Sequence, residues 1–413
     1  MNHHHRRRVV VTGMAGISPI GNCWTDVERA LRAKQNAVRY MNEWADIVGL
    51  NTRLGASAAP FELPERYSRK RTRSMGRVAL MACLASEWAL ADAGLFGHPI
   101  LTSGRTGVSY GSSTGEPAAV TDFARLIKSR SLEGLTANTY LRMMAHTAPV
   151  NIAVFFGLTG RVITTSSACT SGSQGIGYAY EAIRYGHADA MIAGGAEELC
   201  ASEAAVFDTL FATSTRNDAP ATTPRPYDRD RDGLVIGEGA GTLILEELEH
   251  ARARGARIVA EIVGFGTNCD GSHVTQPQAE TMAAAIRLAL ADADLPAEVI
   301  GYVNGHGTAT ELGDIAESHA THTVFGENMP ISSLKSYIGH TLGAAGAHEA
   351  WMTIEMMRAG WFAPTLSLDH VDPRCAPLDY VRGEGRALDC EYTMSNNFAF
   401  GGINTSLIFK RWS

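Results

Sequence analysis

Three residues of this 413-residue chain stand where side-chain chemistry would need them: Cys169, His306 and His340. Cys169 follows a β-rich run, Val162-Ile-Thr-Thr, and then Ser166-Ser-Ala; it precedes Thr170-Ser-Gly-Ser, a string small enough to turn the backbone sharply into a helix. At a helix N-terminus, unpaired N–H groups and the positive end of the dipole favour thiolate over thiol. The same N–H groups can hold a developing oxyanion. A cysteine among small residues is equally the pattern of a buried structural side chain. His306 ends a strand, Tyr302-Val-Asn-Gly-His-Gly-Thr-Ala-Thr, between two glycines, where catalytic groups of α/β proteins gather. Thr308 and Thr310 follow it as hydroxyl donors, and a hydrogen-bonded turn histidine is the competing reading.

The segment Ser333-Leu-Lys-Ser-Tyr-Ile-Gly-His-Thr-Leu-Gly-Ala-Ala-Gly supplies Lys335 and His340. A lysine beside an apolar Gly/Ala helix needs a counter-ion to be buried, and Glu349 is the candidate from that helix. Such a pair would fix geometry and tune His340; an ordinary surface lysine at a turn fits as well. Near the C-terminus, Phe398 and Phe400 precede Gly401 and Gly402, either as a gate to an apolar channel or as core aromatics of a hairpin. Glu317, His319 and His322 suggest a metal hydrolase, but histidines three apart without a third ligand read better as a polar helix face.

Positioning these groups requires alternating strands and helices. Arg8 to Thr12, Gly107 to Tyr110, Val162 to Thr165, Arg257 to Gly264, Ile300 to Asn304 and Ile331 onward are β-rich, with helical stretches at 25–33, 171–185, 281–293 and after Asp314. That alternation predicts an α/β fold with buried sheets. Two echoes point to duplication: the run from Val162 to Thr170 with the run from Ile331 to Gly346, and Gly237-Glu-Gly-Ala-Gly-Thr-Leu-Ile-Leu with Phe400-Gly-Gly-Ile-Asn-Thr-Ser-Leu-Ile-Phe. The expected halves are 1–256, carrying the cysteine and extra cap or oligomer segments at 34–73 and 113–148, and 257–413, carrying both histidines. Residues 213–233 read as an ordered surface loop with paired charges.

Composition excludes several classes. The 45% apolar and 19% charged content is that of a packed globular protein rather than a disordered one. A net charge of −7 argues against nucleic acid as the main partner. Arg66, Arg69, Lys70, Arg71, Arg73 and Arg77 nevertheless form a basic run able to dock an acidic partner, or simply a solvated helix edge. Seven cysteines without a C-x-x-C pair indicate neither a disulfide framework nor a zinc knuckle. With no long apolar run and no signal-like start, the expectation is a cytoplasmic protein without a membrane segment. His3, His4 and His5 are set aside as a tag-like or polar start.

In combination, TTSSACTSGSQ, AGGAEE, RPYDRDRDGLVIGEGAG, NGHGTATELGD, SSLKSYIGHTLGAAGA and NNFAFGGINTS resemble the β-ketoacyl-acyl-carrier-protein synthases I and II of the thiolase-like superfamily, over nearly the whole chain. The resemblance implies a five-layered αβαβα fold of two similar halves, a homodimer or heterodimer, acyl carrier protein as partner, and no metal or cofactor. It implies Cys169 as nucleophile, His306 and His340 as the decarboxylation pair, Lys335 and Glu349 as support, Thr308 and Thr310 as pantetheine contacts, and Phe400 as gate and oxyanion donor with Phe398 beside it. Carrier docking would fall to Arg66, Arg69, Lys70 and Arg73. Glu311, Leu334, Ala399 and Ile403 depart from the family's usual Pro, Thr, Gly and Thr, which bears on gate flexibility and chain length. NNFAFGGINTS also looks like the synthases of aryl polyene pigments. A thiolase or type III starter enzyme, with Cys-His-Asn, fits less well than two histidines, and a catalytically silent chain-length subunit would lack the cysteine.

Overall fold

The computed structural model describes residues 6–413; His3, His4 and His5 lie outside the described residues. Ten strands build the scaffold: β1 (Val9–Ile17), β2 (Thr106–Gly111), β3 (Val162–Thr165), β4 (Ala190–Glu197), β5 (Gly239–Glu247), β6 (Ala260–Cys269), β7 (Ile300–Asn304), β8 (Pro330–Ser332), β9 (Tyr392–Ala399) and β10 (Ile403–Arg411). Six helices cover them: α1 (Arg77–Asp92), α2 (Thr147–Phe156), α3 (Ser171–Arg184), α4 (Ala279–Ala293), α5 (Glu311–Phe325) and α6 (Ala345–Ala359).

The strand order makes the duplication explicit. From the middle outward the first half runs β1-β5-β4-β2-β3 and the second β6-β10-β9-β7-β8, the same order with every strand advanced by five, and the second half adds one short strand, Asp379–Tyr380, parallel to β8 at its edge. The senses match too. The β1/β5 and β4/β5 pairs are antiparallel and the β2 pairs parallel, as are their counterparts β6/β10, β9/β10 and the β7 pairs. Both sequence echoes fall on equivalent elements, β3-α3 with β8-α6 and β5 with β10. A short antiparallel contact, Val9 to Val11 against Ala260 to Ile262, joins the halves.

Helices α1 and α2 cover the first sheet, α4 and α5 the second, and α3 and α6 lie between the sheets against each other. The strands β1, β2 and β4 are buried along their whole length, as near-continuous apolar or small runs must be when helices cover both faces. Helix α6 is buried from Ala345 to Met357 apart from Glu355, which makes it a core helix rather than an amphipathic one. The two central helices meet at glycines: a Cβ on Gly172 would lie 2.8 Å from Gly343 O, and one on Gly346 would lie 2.6 Å from Ser173 N. That approach sets the cysteine turn against the start of α6.

The strand expected at 257–264 runs instead from Ala260 to Cys269, because pairing with β10 carries the ladder past Gly264. The extra segments of the first half form a small sheet of Arg39–Tyr40, Leu54–Ala56 and Ile236–Gly237, and helices at Pro117–Ser129 and Ala137–Met143. The charges of residues 213–233 do pair, but the segment is not wholly at the surface: Thr223, Tyr227 and Asp228 are fully buried, and Arg231 is ion-paired with Asp372 of the second half at 2.6 Å. No helix among the described residues is long and apolar enough to cross a membrane.

Candidate active site

The hydroxyl-rich string around Cys169 folds a tight 3-10 turn, Ala168–Thr170, immediately before α3. Side chains replace the backbone partners the turn lacks. Ser171 Oγ donates to Ala168 O at 2.7 Å, Thr170 Oγ1 to Ser167 O at 2.8 Å, and Thr165 Oγ1 to Ser171 O at 2.7 Å. Ala168 is held at φ +50°, left-handed for a residue with a Cβ, at a cost of about 1–3 kcal/mol that surrounding packing must offset. Cys169 thus sits two residues before the α-helix proper, and its buried sulfur faces its own N–H and that of Phe400.

Burial works against the thiolate expected from the helix N-terminus. Burial pushes the Cys169 thiol up to about 11, outweighing the Phe400 N–H, the Lys335 charge and its own N–H, which all act downward. Burial thus favours the thiol over the thiolate in the free protein.

His306 lies two residues beyond β7, on a loop held by two buried carboxylates of α5. Glu317 accepts from the N–H groups of His306 at 2.5 Å and Gly307 at 2.6 Å, and Asp314 accepts from those of Thr308 at 3.0 Å and Ala309 at 3.1 Å. Behind the ring, Lys335 Nζ stands 3.1 Å from Nδ1 and is ion-paired with Glu349. Both partners are buried, which disposes of the surface-lysine reading; the lysine bonds His306, while its charge also acts on His340 as its place in the sequence suggested. Glu349 reaches on to Asn397 Nδ2 at 2.6 Å. An ammonium has no lone pair, so Nδ1 of His306 accepts and Nε2 carries the proton.

His340 reaches the same tautomer by another route. The backbone N–H of Leu342 donates to its Nδ1 at 3.3 Å, leaving a buried Nε2–H with no protein partner. The two rings are 5.2 Å apart at 87°, and one side-chain atom from each of Cys169, His306 and His340 lies within 4.8 Å of the others. Burial first, then the Lys335 charge, holds both imidazoles well below the usual histidine range; His340 adds to the effect on His306. Two neutral rings turning N–H groups toward one sulfur suit an oxyanion rather than a cation.

A cavity of about 340 Å³ opens onto this triad, and Thr308, Thr310, Phe398 and Phe400 line it as expected. The two hydroxyls bond each other at 2.9 Å, while the Phe398 ring stands 6.2 Å from His306 and the Phe400 ring packs edge-on to Phe207. The basic run divides. Arg66 is ion-paired with buried Glu87 and Arg77 with Glu238; Arg71 stacks 3.8 Å above the Phe155 ring. Arg69, Lys70 and Arg73 are exposed. The histidines of the metal-hydrolase reading do not converge: exposed His319 meets Arg374 O at 3.0 Å, and Glu317 serves the His306 loop.

Asn397, Glu317 and Asp314 escaped the sequence reading as members of this site. The signal for Asn397 was two asparagines in a strand flanked by apolar residues, a position that needs buried partners. For the two acids it was carboxylates on the face of α5 that turns inward.

The match to known proteins covers the chain. Residues 6–251 match the model of the β-ketoacyl synthase N-terminal domain and residues 259–369 that of its C-terminal domain. The 3-oxoacyl-[acyl-carrier-protein] synthase 2 of Vibrio cholerae serotype O1 is 40% identical over 98% of this chain and 99% of its own. A crystal structure of a β-ketoacyl synthase from Burkholderia phymatum superposes with a TM-score of 0.97 at 60% identity, covering 98% of this chain and 100% of that one. A type II polyketide ketosynthase solved in complex with its acyl-carrier protein aligns at 29% identity and TM-score 0.87, over 99% of this chain and 100% of that one.

Proposed function

The chain belongs to the β-ketoacyl synthase family, whose condensation it performs, and from that premise we propose that Cys169, His306 and His340 carry a decarboxylative Claisen condensation on acyl-carrier-protein thioesters. The observation that carries the residue assignment is the convergence of one thiol and two neutral imidazoles of fixed tautomer within 4.8 Å.

In the first half-reaction the Cys169 sulfur attacks the acyl thioester of the loaded carrier, and the thiol's proton ends on the departing pantetheine sulfur. The N–H groups of Cys169 and Phe400, which face the sulfur, stand beside the carbon that becomes tetrahedral there and stabilise its oxygen. Malonyl carrier then enters past Thr308 and Thr310. Loss of carbon dioxide leaves an enolate whose oxygen accepts from Nε2–H of both His306 and His340. Its carbon attacks the acyl group on Cys169; the carbon–sulfur bond breaks, and the freed thiolate takes up a proton. Glu349, Lys335 and Asn397 touch no substrate and act by holding His306.

The exposed cations Arg69, Lys70 and Arg73 suit the acidic surface expected of a carrier protein; Arg66, committed to Glu87, contributes structure instead. The open edge strand β3, with Val162 46% exposed, suits pairing with a second copy. Seven free cysteines agree with a reducing, cytoplasmic setting. A chain-length subunit without catalysis is disfavoured by the presence and placement of Cys169.

The test is acyl transfer from a labelled acyl carrier, followed by peptide mass spectrometry, with turnover on a panel of acyl chains. The expected adduct is on Cys169, and Cys169→Ala abolishes condensation while the protein stays folded. An adduct on another cysteine overturns the assignment.

A further inference from the structure

Helix α6 presents two adjacent buried polar residues, and only the second has a place in the scheme above. Glu349 reaches His306 through Lys335 and Asn397. Its neighbour His348 is fully buried and 3.0 Å from the hydroxyl of Thr341, the residue next to His340. We infer that His348 is a positioning residue that holds His340, through Thr341, in the tautomer that donates to the substrate; this rests on the condensation proposed above.

The direction of each bond follows from its partners. His348 Nε2 stands 2.9 Å from Ile17 O at the end of β1, and a carbonyl only accepts, so Nε2 carries the proton and Nδ1 is left as acceptor for Thr341 Oγ1–H. Burial holds this imidazole down at about 4, so it stays neutral. Space for the ring is made by Gly239 of β5, where a Cβ would lie 2.7 Å from the imidazole.

What this anchor holds is a strained turn. The His340 backbone is clamped by its N–H to Val235 O at 2.7 Å and by Gly237 N–H to its carbonyl at 2.9 Å. Two residues later Leu342 has φ +45°, an unfavourable region for a side chain with a branched Cγ. That conformation is what aims the Leu342 N–H at His340 Nδ1. Between the clamp and the strained residue, the one side-chain tie is Thr341 to His348. Releasing it lets the turn relax, withdraws the N–H from Nδ1, and allows the proton of His340 to move to the wrong nitrogen. Adjacent residues of one helix thus serve the two catalytic rings, one by an ion pair and the other by a neutral relay.

The experiment compares Thr341→Val, His348→Leu and His348→Gln with the wild type. Nitrogen-15 spectra of labelled histidine read the His340 tautomer, and two assays read acyl transfer to Cys169 and malonyl decarboxylation separately. Thr341→Val and His348→Leu are expected to mix the His340 tautomers and lower kcat for decarboxylation about tenfold, with KM and acyl transfer within about twofold. His348→Gln, whose amide can donate to Ile17 O and accept from Thr341, is expected to restore both. Unchanged His340 spectra in the first two variants overturn the inference, as does an equal fall of both half-reactions without a tautomer change. A wild-type protein without malonyl decarboxylation sinks the proposed condensation instead, and the spectra still decide the role of His348.

Discussion

Lys335 Nζ stands 3.1 Å from His306 Nδ1 and is ion-paired with Glu349, so a lysine twenty-nine positions along the chain fixes which nitrogen of His306 holds its proton. The same ammonium acts on Cys169, pulling its thiol downward against burial. One buried cation thus biases both halves of the reaction, and its removal separates structural from chemical effects.

Replacing Lys335 by Met leaves Glu349 buried without its counter-ion, a loss of about 3–5 kcal/mol in urea unfolding. Combining it with Glu349→Leu is expected to recover most of that stability, since well-packed apolar residues can replace a buried pair. Carbon dioxide release from malonyl carrier is expected to stay low in both variants, because His306 Nδ1 has lost its charged donor and keeps only the Asn397 amide at 3.4 Å. Full activity in the stable double variant would refute the orienting role.

Alkylation of Cys169 by iodoacetamide in the free protein is expected to rise about tenfold per pH unit from about pH 7 to about pH 10, following the growing thiolate fraction of a thiol pushed up to about 11. Peptide mass spectrometry measures the rate. A plateau near neutral pH would show that the turn and its N–H groups overcome burial after all.

Acid stability carries the mark of the buried histidines. The folded-state value of His348 is depressed to about 4 from 6.5, so below about pH 6.5 the unfolded chain binds a proton that the folded protein refuses. Its contribution is complete above that range and is lost as pH falls toward 4, by about 3 kcal/mol in all. His306 and His340 act in the same direction. Between about pH 8 and about pH 5, the stability of His348→Gln relative to wild type is expected to improve by about 2 kcal/mol, measured by denaturant titration at each pH.

The division of the basic run gives opposite outcomes for neighbouring arginines. Arg69→Glu with Arg73→Glu is expected to weaken carrier-protein binding at low salt, with a smaller effect as screening grows and no loss of stability. Arg66→Glu is expected to destabilise the fold by facing buried Glu87 with a like charge. Unchanged affinity of the double variant in calorimetric titration would remove this surface as the docking site.

Much of this protein was legible in the chain itself. The hydroxyl-rich string before α3, the glycine-flanked His306 and the Lys335 to Gly346 segment announce themselves because local backbone geometry demands small and special residues there. The duplication is visible for the same reason, since β5 and β10 end similar bends. Strand order, by contrast, joins residues far apart in sequence, and local patterning carries no record of it.

Tertiary structure alone decided the electrical state of the site. Whether Cys169 rests as thiol or thiolate depends on how much water reaches it, and burial pulls against the helix end. Which histidine Lys335 bonds, that Asn397 and Glu317 belong to the site, and that Arg66 is paired with Glu87 all depend on which side chains meet in three dimensions. The sequence by itself determined which chemical groups are available; packing determined their protonation and partners, because desolvation and hydrogen bonding act through space and not along the chain.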